Sequence, residues 1–191
     1  MKNRKMLDQV DELFNNSIQT ITDSKKLKYE VVDAVNLIIN SLKNDGKIIS
    51  FGNGGSAADA QHFVAEFIGR FQKERKSIPA IAFTTDTSII TAIGNDYSFE
   101  KIFERQAESL ISKNDVVVAI STSGKSKNVI KGIQMAKKKG AKIISLTGNI
   151  PIKLSKNADL SIRIPSKSTA RIQEVHRLIL HYICELVEEQ I

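Results

Sequence analysis

The sequence predicts an α/β domain in which a five-stranded parallel sheet carries helices on both faces. Two helices precede the first strand, and one long helix follows the last. Two observations predict this arrangement. Apolar segments of strand length alternate with segments whose apolar residues recur at helical spacing, which is typical of a parallel sheet covered by helices. In addition, two of the strands run directly into loops of small residues that are each followed by a helix.

Composition limits the range of functions. At 191 residues the chain can bury one full core, so a single domain over residues 1–191 is expected. The net charge of +7 would suit an anionic ligand or a nucleic acid, yet the lysines are scattered and tryptophan is absent. The one lysine run, Lys137 to Lys139, ends a predicted helix, where cations favour the helix dipole. We therefore expect no nucleic-acid partner.

The single cysteine and the N-terminus predict a cytoplasmic protein. Cys184 lies in an apolar helical pattern and is expected to be a small core residue. Because it is the only cysteine of the sequence, no disulfide can form within the chain. Residues 1–16 are charged throughout and lack the apolar centre of a signal peptide. No apolar segment approaches the length that spans a bilayer, so no membrane partner is expected.

The two N-terminal helices are predicted over residues 6–22 and 27–42, and the second stops at Asp45 and Gly46. Both are unusually apolar for a surface layer, so they pack either on the domain or on another subunit. We favour the second interpretation. Residues 1–45 are then a helical hairpin used in oligomerisation, and residues 46–191 are the α/β core.

The first strand, residues 48–51, ends in a loop with three glycines in four positions. Such a loop is unfavourable inside a strand or helix, and Ser56 is a good N-cap for a helix that runs to about Phe71. Free backbone N–H groups and the helix dipole meet at such a point, which favours anion binding. A tight turn is the other interpretation, because the loop matches neither common phosphate-binding motif.

His62 and Glu66 lie four residues apart on this helix and therefore share one face, a turn beyond the loop. A basic ring and a carboxylate beside a phosphate site would suit catalysis. A surface ion pair explains the same spacing equally simply. A second loop of the same kind later in the chain favours the catalytic interpretation.

That second loop follows the clearest buried strand. A strand over residues 79–83 comes first, then a short helix through Ile93, broken at Gly94, Asn95 and Asp96, and a helix over residues 99–111. The buried strand, residues 115–120, leads into a loop with four hydroxyl groups in six residues and a helix over residues 127–139. The hydroxyl residues are Ser121, Thr122, Ser123 and Ser126.

Hydroxyl and backbone N–H groups are good donors to phosphate oxygens, although an ordinary capped turn would have the same composition. In parallel sheets ligands bind outside the carboxyl ends of the strands, at the point where the strand order reverses. Both small-residue loops lie at such ends. The pattern alone therefore predicts a phosphorylated small molecule with His62 and Glu66 nearby.

The chain ends with strands over residues 142–147 and 160–164 and a helix over residues 169–189. Gln173 and His181 are polar residues near the inner side of this helix, with His176 displaced from both. At about 100° per residue the two histidines stand about 140° apart. They cannot easily serve one site, and periodicity does not choose between them.

Four segments together resemble the sugar isomerase (SIS) domains, and the phosphoheptose isomerases in particular. They read FGNGGSAADAQHFVAEF, ISTSGKSKNVIKGI, TTDTSIITAIGNDYSFEKIF and TARIQEVHRLILHYICELVE. The resemblance implies a three-layer, flavodoxin-like SIS domain and a homotetramer assembled through N-terminal helices. It also implies conversion of sedoheptulose 7-phosphate to D-glycero-D-manno-heptose 7-phosphate, the first step of bacterial ADP- or GDP-heptose biosynthesis for surface polysaccharides.

The resemblance further implies roles for individual residues. Glu66 matches the family's general base and His181 its general acid, a pair that suffices to move a proton between adjacent carbons through an enediol. Some members bind one zinc ion per subunit at positions that match His62, Glu66, Gln173 and His181. The phosphate donors match Ser56, Ser121, Thr122, Ser123 and Ser126. The other substrate contacts match Asn53, Gly54, Gly55, Glu66, Asn95, Asp96 and Gln173.

Two departures from the family pattern concern the substrate side. The loop over residues 148–159 is often glycine-rich in the family but not here, and Ala170 stands where some members carry Asp. A second class of relative, the non-catalytic SIS proteins that bind the replication initiator, lacks an acid and a base at the positions of Glu66 and His181. This chain has both residues, which favours the enzyme.

Overall fold

The computed structural model describes residues 2–149 and 154–191, and it confirms the α/β fold. Within these residues five strands form one sheet in the order β2-β1-β3-β4-β5, and every neighbouring pair is parallel. The strands are β1 (Ile48–Gly52), β2 (Ala80–Ala82), β3 (Val116–Ser121), β4 (Lys142–Gly148) and β5 (Leu160–Ile164). The helices are α1 (Lys2–Ser24), α2 (Lys28–Lys43), α3 (Gly55–Ile68), α4 (Thr87–Asp96), α5 (Ile102–Leu110), α6 (Lys127–Lys138) and α7 (Thr169–Glu188).

Helices cover both faces of the sheet and make three layers. Side chains alternate along each strand, so Ile48 belongs to the core under α2, α3 and α7, whereas Ile49 belongs to the core under α5 and α6. The central strands β1 and β3 are buried along their whole length, which explains their continuous apolar character. Cys184 is buried in the first core, as expected.

The strand order reverses between β1 and β3. The glycine loop after β1 and the hydroxyl loop after β3 therefore lie side by side at the carboxyl edge of the sheet. A pair of amide hydrogen bonds joins them. Asn53 Nδ2 donates to Asn128 Oδ1 at 2.9 Å, and Asn128 Nδ2 donates to Asn53 Oδ1 at 2.8 Å.

The two N-terminal helices differ from each other in burial. In α2 the residues Val35 and Ile38 are buried in the core of the same chain. In α1 the residues Leu7, Phe14 and Ile18 are more than half exposed. Both helices pack against α7. No helix within the described residues combines the length and apolar character that crossing a membrane requires.

The boundaries of α3 differ at both ends. The helix begins at Gly55, and Gly54 precedes it with a φ of 54°, so Ser56 is a buried second residue of the helix and not its N-cap. The helix ends at Ile68 instead of Phe71. The reason is Glu188, whose carboxylate accepts hydrogen bonds from the backbone N–H groups of residues 71–73 and holds them outside the helix.

The helix α4 runs through Asp96 without the predicted break at Gly94. A single glycine costs a helix only about 1 kcal/mol. The Asp86 side chain offsets that cost by accepting a hydrogen bond from Ile89 N at 2.9 Å, which caps the helix. The altered loop over residues 148–159 lies partly outside the described residues.

Candidate active site

The structure brings together three of the residues singled out in the sequence. His62 and Glu66 on α3 face His181 on α7. The Nε2 atoms of the two histidines are 2.7 Å apart, and Glu66 Oε1 lies 3.4 Å from His62 Nε2. One ligand atom from each residue falls within 4.8 Å of the others. All three side chains are partly exposed, so a small molecule can reach them.

The packing of α3 explains why these side chains point toward α7. Ala60, Phe63 and Phe67 recur at helical spacing and are fully or almost fully buried against the sheet. His62 and Glu66 therefore lie on the flank of the helix. Phe71, in the segment that follows α3, lies with its ring centroid 5.6 Å from that of His181 and covers the cluster on one side.

The electrostatics of the cluster favour a neutral His181. Burial is the main cause that lowers the pKa of His181, and the neighbouring His62 and Arg177 lower it further. The Glu66 carboxylate acts in the opposite direction and raises the pKa of His181. At 2.7 Å the two Nε2 atoms cannot both carry a proton. One of the two nitrogens is therefore unprotonated and able to accept a proton or to bind a metal.

Two imidazole nitrogens and one carboxylate within 4.8 Å make a donor set that suits zinc. Three protein ligands with an open fourth position are typical of catalytic zinc sites. Gln173, the fourth ligand expected from the family, lies on α7 and borders the same cavity as His181. Its amide lies against the glycine loop, where a side chain at Gly55 would collide with it.

A cavity of about 550 Å³ opens beside the cluster between α3 and α7. This volume is within the range of small-molecule sites. Gly55, Gln173 and His181 line the cavity, together with Asp59, Ala170 and Arg177. Because Ala170 lines the cavity, a longer side chain at this position would enter the same space.

The hydroxyl loop is compact and preformed at the start of α6. Ser121 Oγ lies 3.2 Å from Ser126 Oγ and accepts a hydrogen bond from Gly124 N at 3.1 Å. Ser123 Oγ accepts one from Lys125 N at 3.3 Å. The Thr122 carbonyl accepts one from Gly148 N at 3.0 Å, which ties the loop to the end of β4. An anion at this point would meet N–H and hydroxyl donors that need little rearrangement.

Asn95 and Asp96 lie apart from this cavity. Both are exposed at the end of α4, on the other face of the sheet, and Asn95 Nδ2 donates to Asp96 Oδ1 at 2.9 Å. Neither residue lines the cavity beside His181. The hydroxyl residues Ser121, Thr122, Ser123 and Ser126 do not line this cavity either, so the roles of all these predicted contacts stay predictions.

His176 is a core histidine. It has no exposed surface, and neither ring nitrogen has a hydrogen-bond partner of good geometry among the described residues. Burial lowers the pKa of His176 to about 4, and the nearby Thr147 backbone opposes this only in part. The structure thus buries His176 in the core and leaves His181 beside His62. Periodicity alone had not distinguished the two histidines.

Sequence reasoning missed Asn128, Asp59 and Arg177. Asp59 lies three residues before His62, and Arg177 lies four residues before His181, so helical spacing contains a signal for both. Asn128 has no such signal, because its partner Asn53 is 75 positions away.

The fold, the two loops and the cluster define a class of protein. The family model described as "SIS domain" matches residues 12–148, and the chain belongs to that family. The phosphoheptose isomerase of Aquifex aeolicus is 49% identical over 187 residues, which cover 97% of this chain and 98% of that protein. Within the SIS domain family the chain is thus a member of the phosphoheptose isomerases, which are enzymes.

Two solved structures have the same fold over nearly the whole length. Phosphoheptose isomerase GmhA from Neisseria gonorrhoeae is 41% identical with a TM-score of 0.91, covering 96% of this chain and 99% of that one. A phosphoheptose isomerase from Francisella tularensis is 35% identical with a TM-score of 0.93, covering 96% and 98%.

Proposed function

We propose that the chain converts sedoheptulose 7-phosphate to D-glycero-D-manno-heptose 7-phosphate. The observation that carries the proposal is the meeting of His62, Glu66 and His181 beside a cavity that borders the glycine loop. Membership in a family whose members are named phosphoheptose isomerases supplies the substrate class. Both residues that a non-catalytic relative would lack, Glu66 and His181, lie in the cluster.

Glu66 is the base in this proposal. The ketose has its carbonyl at carbon 2 and a hydroxymethyl group at carbon 1. Glu66 removes a proton from carbon 1, a double bond forms between carbons 1 and 2, and the carbonyl electrons move to the oxygen on carbon 2. Glu66 then returns its proton to carbon 2, so the carbonyl forms at carbon 1 and no net proton is gained or lost.

His181 handles the protons on oxygen. It donates a proton to the oxygen on carbon 2 as the enediol forms and accepts one from the oxygen on carbon 1 as the aldehyde forms. The close contact with His62 supports this role, because one of the two facing nitrogens can carry a proton while the other accepts one. The lowered pKa of His181 makes its protonated ring a stronger acid, which favours release of a proton to the oxygen on carbon 2.

Zinc is the proposed cofactor, with His62, Glu66 and His181 as ligands and Gln173 as the expected fourth. Bound there, zinc would polarise the substrate carbonyl and stabilise negative charge on its oxygen, which is the task that His181 performs by donating a proton when its Nε2 atom is not a zinc ligand. Glu66 is proposed in two roles, as a ligand and as the base, because a carboxylate has two oxygens.

The hydroxyl loop is the proposed phosphate site, with Ser121, Thr122, Ser123 and Ser126 as donors and Ser56 nearby on α3. The loops after β1 and β3 are neighbours in the sheet, so a phosphate held by the second loop places the sugar across the first. Asn53 would have to break a hydrogen bond to contact the substrate through its side chain, because the nitrogen and the oxygen of its amide are both hydrogen-bonded to Asn128.

A homotetramer is the proposed assembly. The exposed apolar side chains of α1 support it, because a contiguous apolar surface of this kind is typical of an interface between subunits. Asn95 and Asp96 would then contribute to a site only from a neighbouring subunit. We also propose that the enzyme acts in the cytoplasm, where its product would enter the synthesis of ADP- or GDP-heptose for lipopolysaccharide or capsule.

The test is turnover of sedoheptulose 7-phosphate by the purified chain, followed by NMR of the sugar carbons. The proposal predicts formation of the aldose, loss of activity after chelation and recovery on addition of zinc. Fructose 6-phosphate serves as the control substrate and should react far more slowly. A chain that leaves sedoheptulose 7-phosphate unchanged with zinc present would refute the proposed function.

A further inference from the structure

We propose that Asp59 and Arg177 are a positioning pair that aligns α3 with α7, so that His62 and Glu66 meet His181. Neither residue belongs to the base, acid or ligand set proposed above. The inference rests on the proposed function for its catalytic consequence, but the contact between the helices can be tested without turnover.

The pair is a directional bridge between the two helices. Arg177 donates to Asp59 Oδ1 twice, from Nη2 at 2.7 Å and from Nε at 3.1 Å. The Asp59 side chain is 3% exposed, whereas that of Arg177 is 55% exposed and lines the cavity. A buried carboxylate without a partner is costly, so Asp59 strongly favours the arrangement in which Arg177 reaches it.

The spacing places this bridge one helical turn from the histidine contact on both helices. Asp59 precedes His62 by three residues, and Arg177 precedes His181 by four. The two contacts therefore join the same flanks of α3 and α7. Sliding or rotating one helix by a single residue would break both contacts at once.

A second ion pair frames the cluster from the other side. Arg75 Nη2 donates to the Glu66 carbonyl at 2.7 Å, and Arg75 Nε donates to Glu188 Oε1 of α7 at 3.0 Å. Glu66 and His62 thus lie between two bridges from α3 to α7. Of the two, only the Asp59–Arg177 bridge borders the cavity that holds Gln173 and His181.

Apolar packing alone would not fix the alignment of α3 with α7 closely enough for catalysis. Burial of Phe63 and Phe67 fixes α3 on the sheet, but the hydrophobic effect has no direction and tolerates small shifts along a helix axis. Proton transfer does not tolerate them, since a misplacement of about 1 Å can cost a factor of about 100 in rate. Residues that orient metal ligands typically contribute about 10-fold to 100-fold in metal affinity.

The experiment compares Arg177→Gln, the double variant Asp59→Asn with Arg177→Gln, and Arg177→Lys with the wild type. In Arg177→Gln the buried Asp59 carboxylate loses its partner and could unfold the protein. The double variant removes this unpaired charge and should therefore stay folded. We expect kcat and zinc affinity to fall about 10-fold or more in the first two variants. KM for the sugar phosphate should stay within about twofold because the phosphate loop is untouched. Arg177→Lys should recover part of both losses.

The chain has three histidines, which makes their ring contact directly observable. In histidine-labelled protein, the imidazole signals of His62 and His181 should change in both variants that carry Arg177→Gln, while those of buried His176 stay as in the wild type. This readout decides the positioning role even if the wild type fails to turn over sedoheptulose 7-phosphate, a result that would refute the proposed function alone.

The matched control is Lys47→Gln. Lys47 Nζ lies 2.7 Å from Asp115 Oδ2, and this pair also joins a partly exposed cation to a carboxylate that is 2% exposed. It lies at the amino ends of β1 and β3, away from the cavity. The control should lose stability but keep kcat, zinc affinity and imidazole signals. Wild-type values of all three in the folded Arg177 variants, or equal losses in the control, would overturn the inference.

Discussion

The Nε2 atoms of His62 and His181 lie 2.7 Å apart, although 119 positions separate the two residues in the chain. The contact exists because α3 and α7 pack on the same face of the sheet with their polar flanks together. Two imidazoles at this distance can share a proton or bind one metal ion together, which requires both rings. The chemical capacity of the site therefore depends on the alignment of two helices.

Glu66→Gln tests the base. The amide would keep the shape of the side chain but could not accept a proton, so kcat should fall by a factor of about 10² to 10⁴. KM should remain near the wild-type value because the hydroxyl loop is untouched. Steady-state kinetics with sedoheptulose 7-phosphate measures both. Glu108→Gln, which alters an exposed pair with Arg105, is the control and should behave as wild type. Turnover close to that of the wild type would remove Glu66 from the mechanism.

His181→Ala and His176→Leu separate the two histidines of α7. The first removes a ligand and the proposed acid, so turnover and zinc content should both be lost. The second replaces a buried ring without hydrogen-bond partners among the described residues by an apolar side chain of similar size, which should leave turnover and zinc intact. Kinetics and metal analysis of the folded variants check this. The opposite pattern would reverse the assignment.

His176 makes stability sensitive to mild acid. Its pKa is about 4 in the folded protein against 6.5 in the unfolded chain, so the unfolded chain binds the proton first as the pH falls. The stabilisation by the neutral ring is complete above pH 6.5 and is lost as the pH falls toward 4. This stabilisation amounts to about 3 kcal/mol in the free energy of unfolding. Urea unfolding between pH 7 and pH 4 should show a shallower decline for His176→Leu, and parallel curves would contradict the prediction.

Glu188 acts in a lower pH window. Burial raises the pKa of its carboxyl, but the N–H groups of Lys73, Gln72 and Phe71 and the Arg75 guanidinium outweigh burial and lower the pKa to about 2. Its stabilisation is therefore complete above pH 4.5, the ordinary value, and is lost as the pH falls through 2.

Glu188→Gln removes the charge from these hydrogen bonds and should cost about 2 kcal/mol in the free energy of unfolding at pH 7. The loss should shrink as the pH falls from 4.5 to 2. Urea unfolding at several pH values measures it. Glu185→Gln, an exposed change on the same helix, should cost almost nothing. A penalty for Glu188→Gln that stays constant across this window would show that the charge is not the cause.

The surface of α1 tests assembly. Leu7, Phe14 and Ile18 are more than half exposed, so replacing all three by Ser should leave the fold intact and yield a smaller species by light scattering after size exclusion. Removal of residues 1–45 is a poorer test, because it also takes away buried Val35 and Ile38 of α2. An unchanged oligomer in the triple variant would exclude this surface from the interface.

Local patterns in the sequence determined most of the fold. The strands were predictable because an apolar segment such as residues 115–120 can only be buried in the middle of a sheet covered on both faces. The two small-residue loops were predictable as features of the carboxyl edge, because strand–helix alternation makes all strands parallel. Those inferences use period and composition, which are properties of neighbouring residues.

At the end of α3 a distant residue contributed to the failure of a local prediction. The end of α3 moved from Phe71 to Ile68 because Glu188, 117 positions from Phe71, binds the backbone there. Both N-terminal helices have apolar residues at helical spacing, yet of the two only α2 lies over the sheet and joins the core. The more apolar composition of α2 favours its burial, whereas its position over the sheet also depends on packing against α7.

The site divides in the same way. The sequence by itself determined that His62 and Glu66 share one face of α3, since that follows from about 3.6 residues per turn. Helical periodicity did not determine which histidine of α7 meets them, and only the resemblance to the family favoured His181. The tertiary structure decided this by burying His176 completely and leaving His181 beside His62. The physical reason is that the rotation of α7 is set by its packing on the sheet, and packing involves residues from every part of the chain.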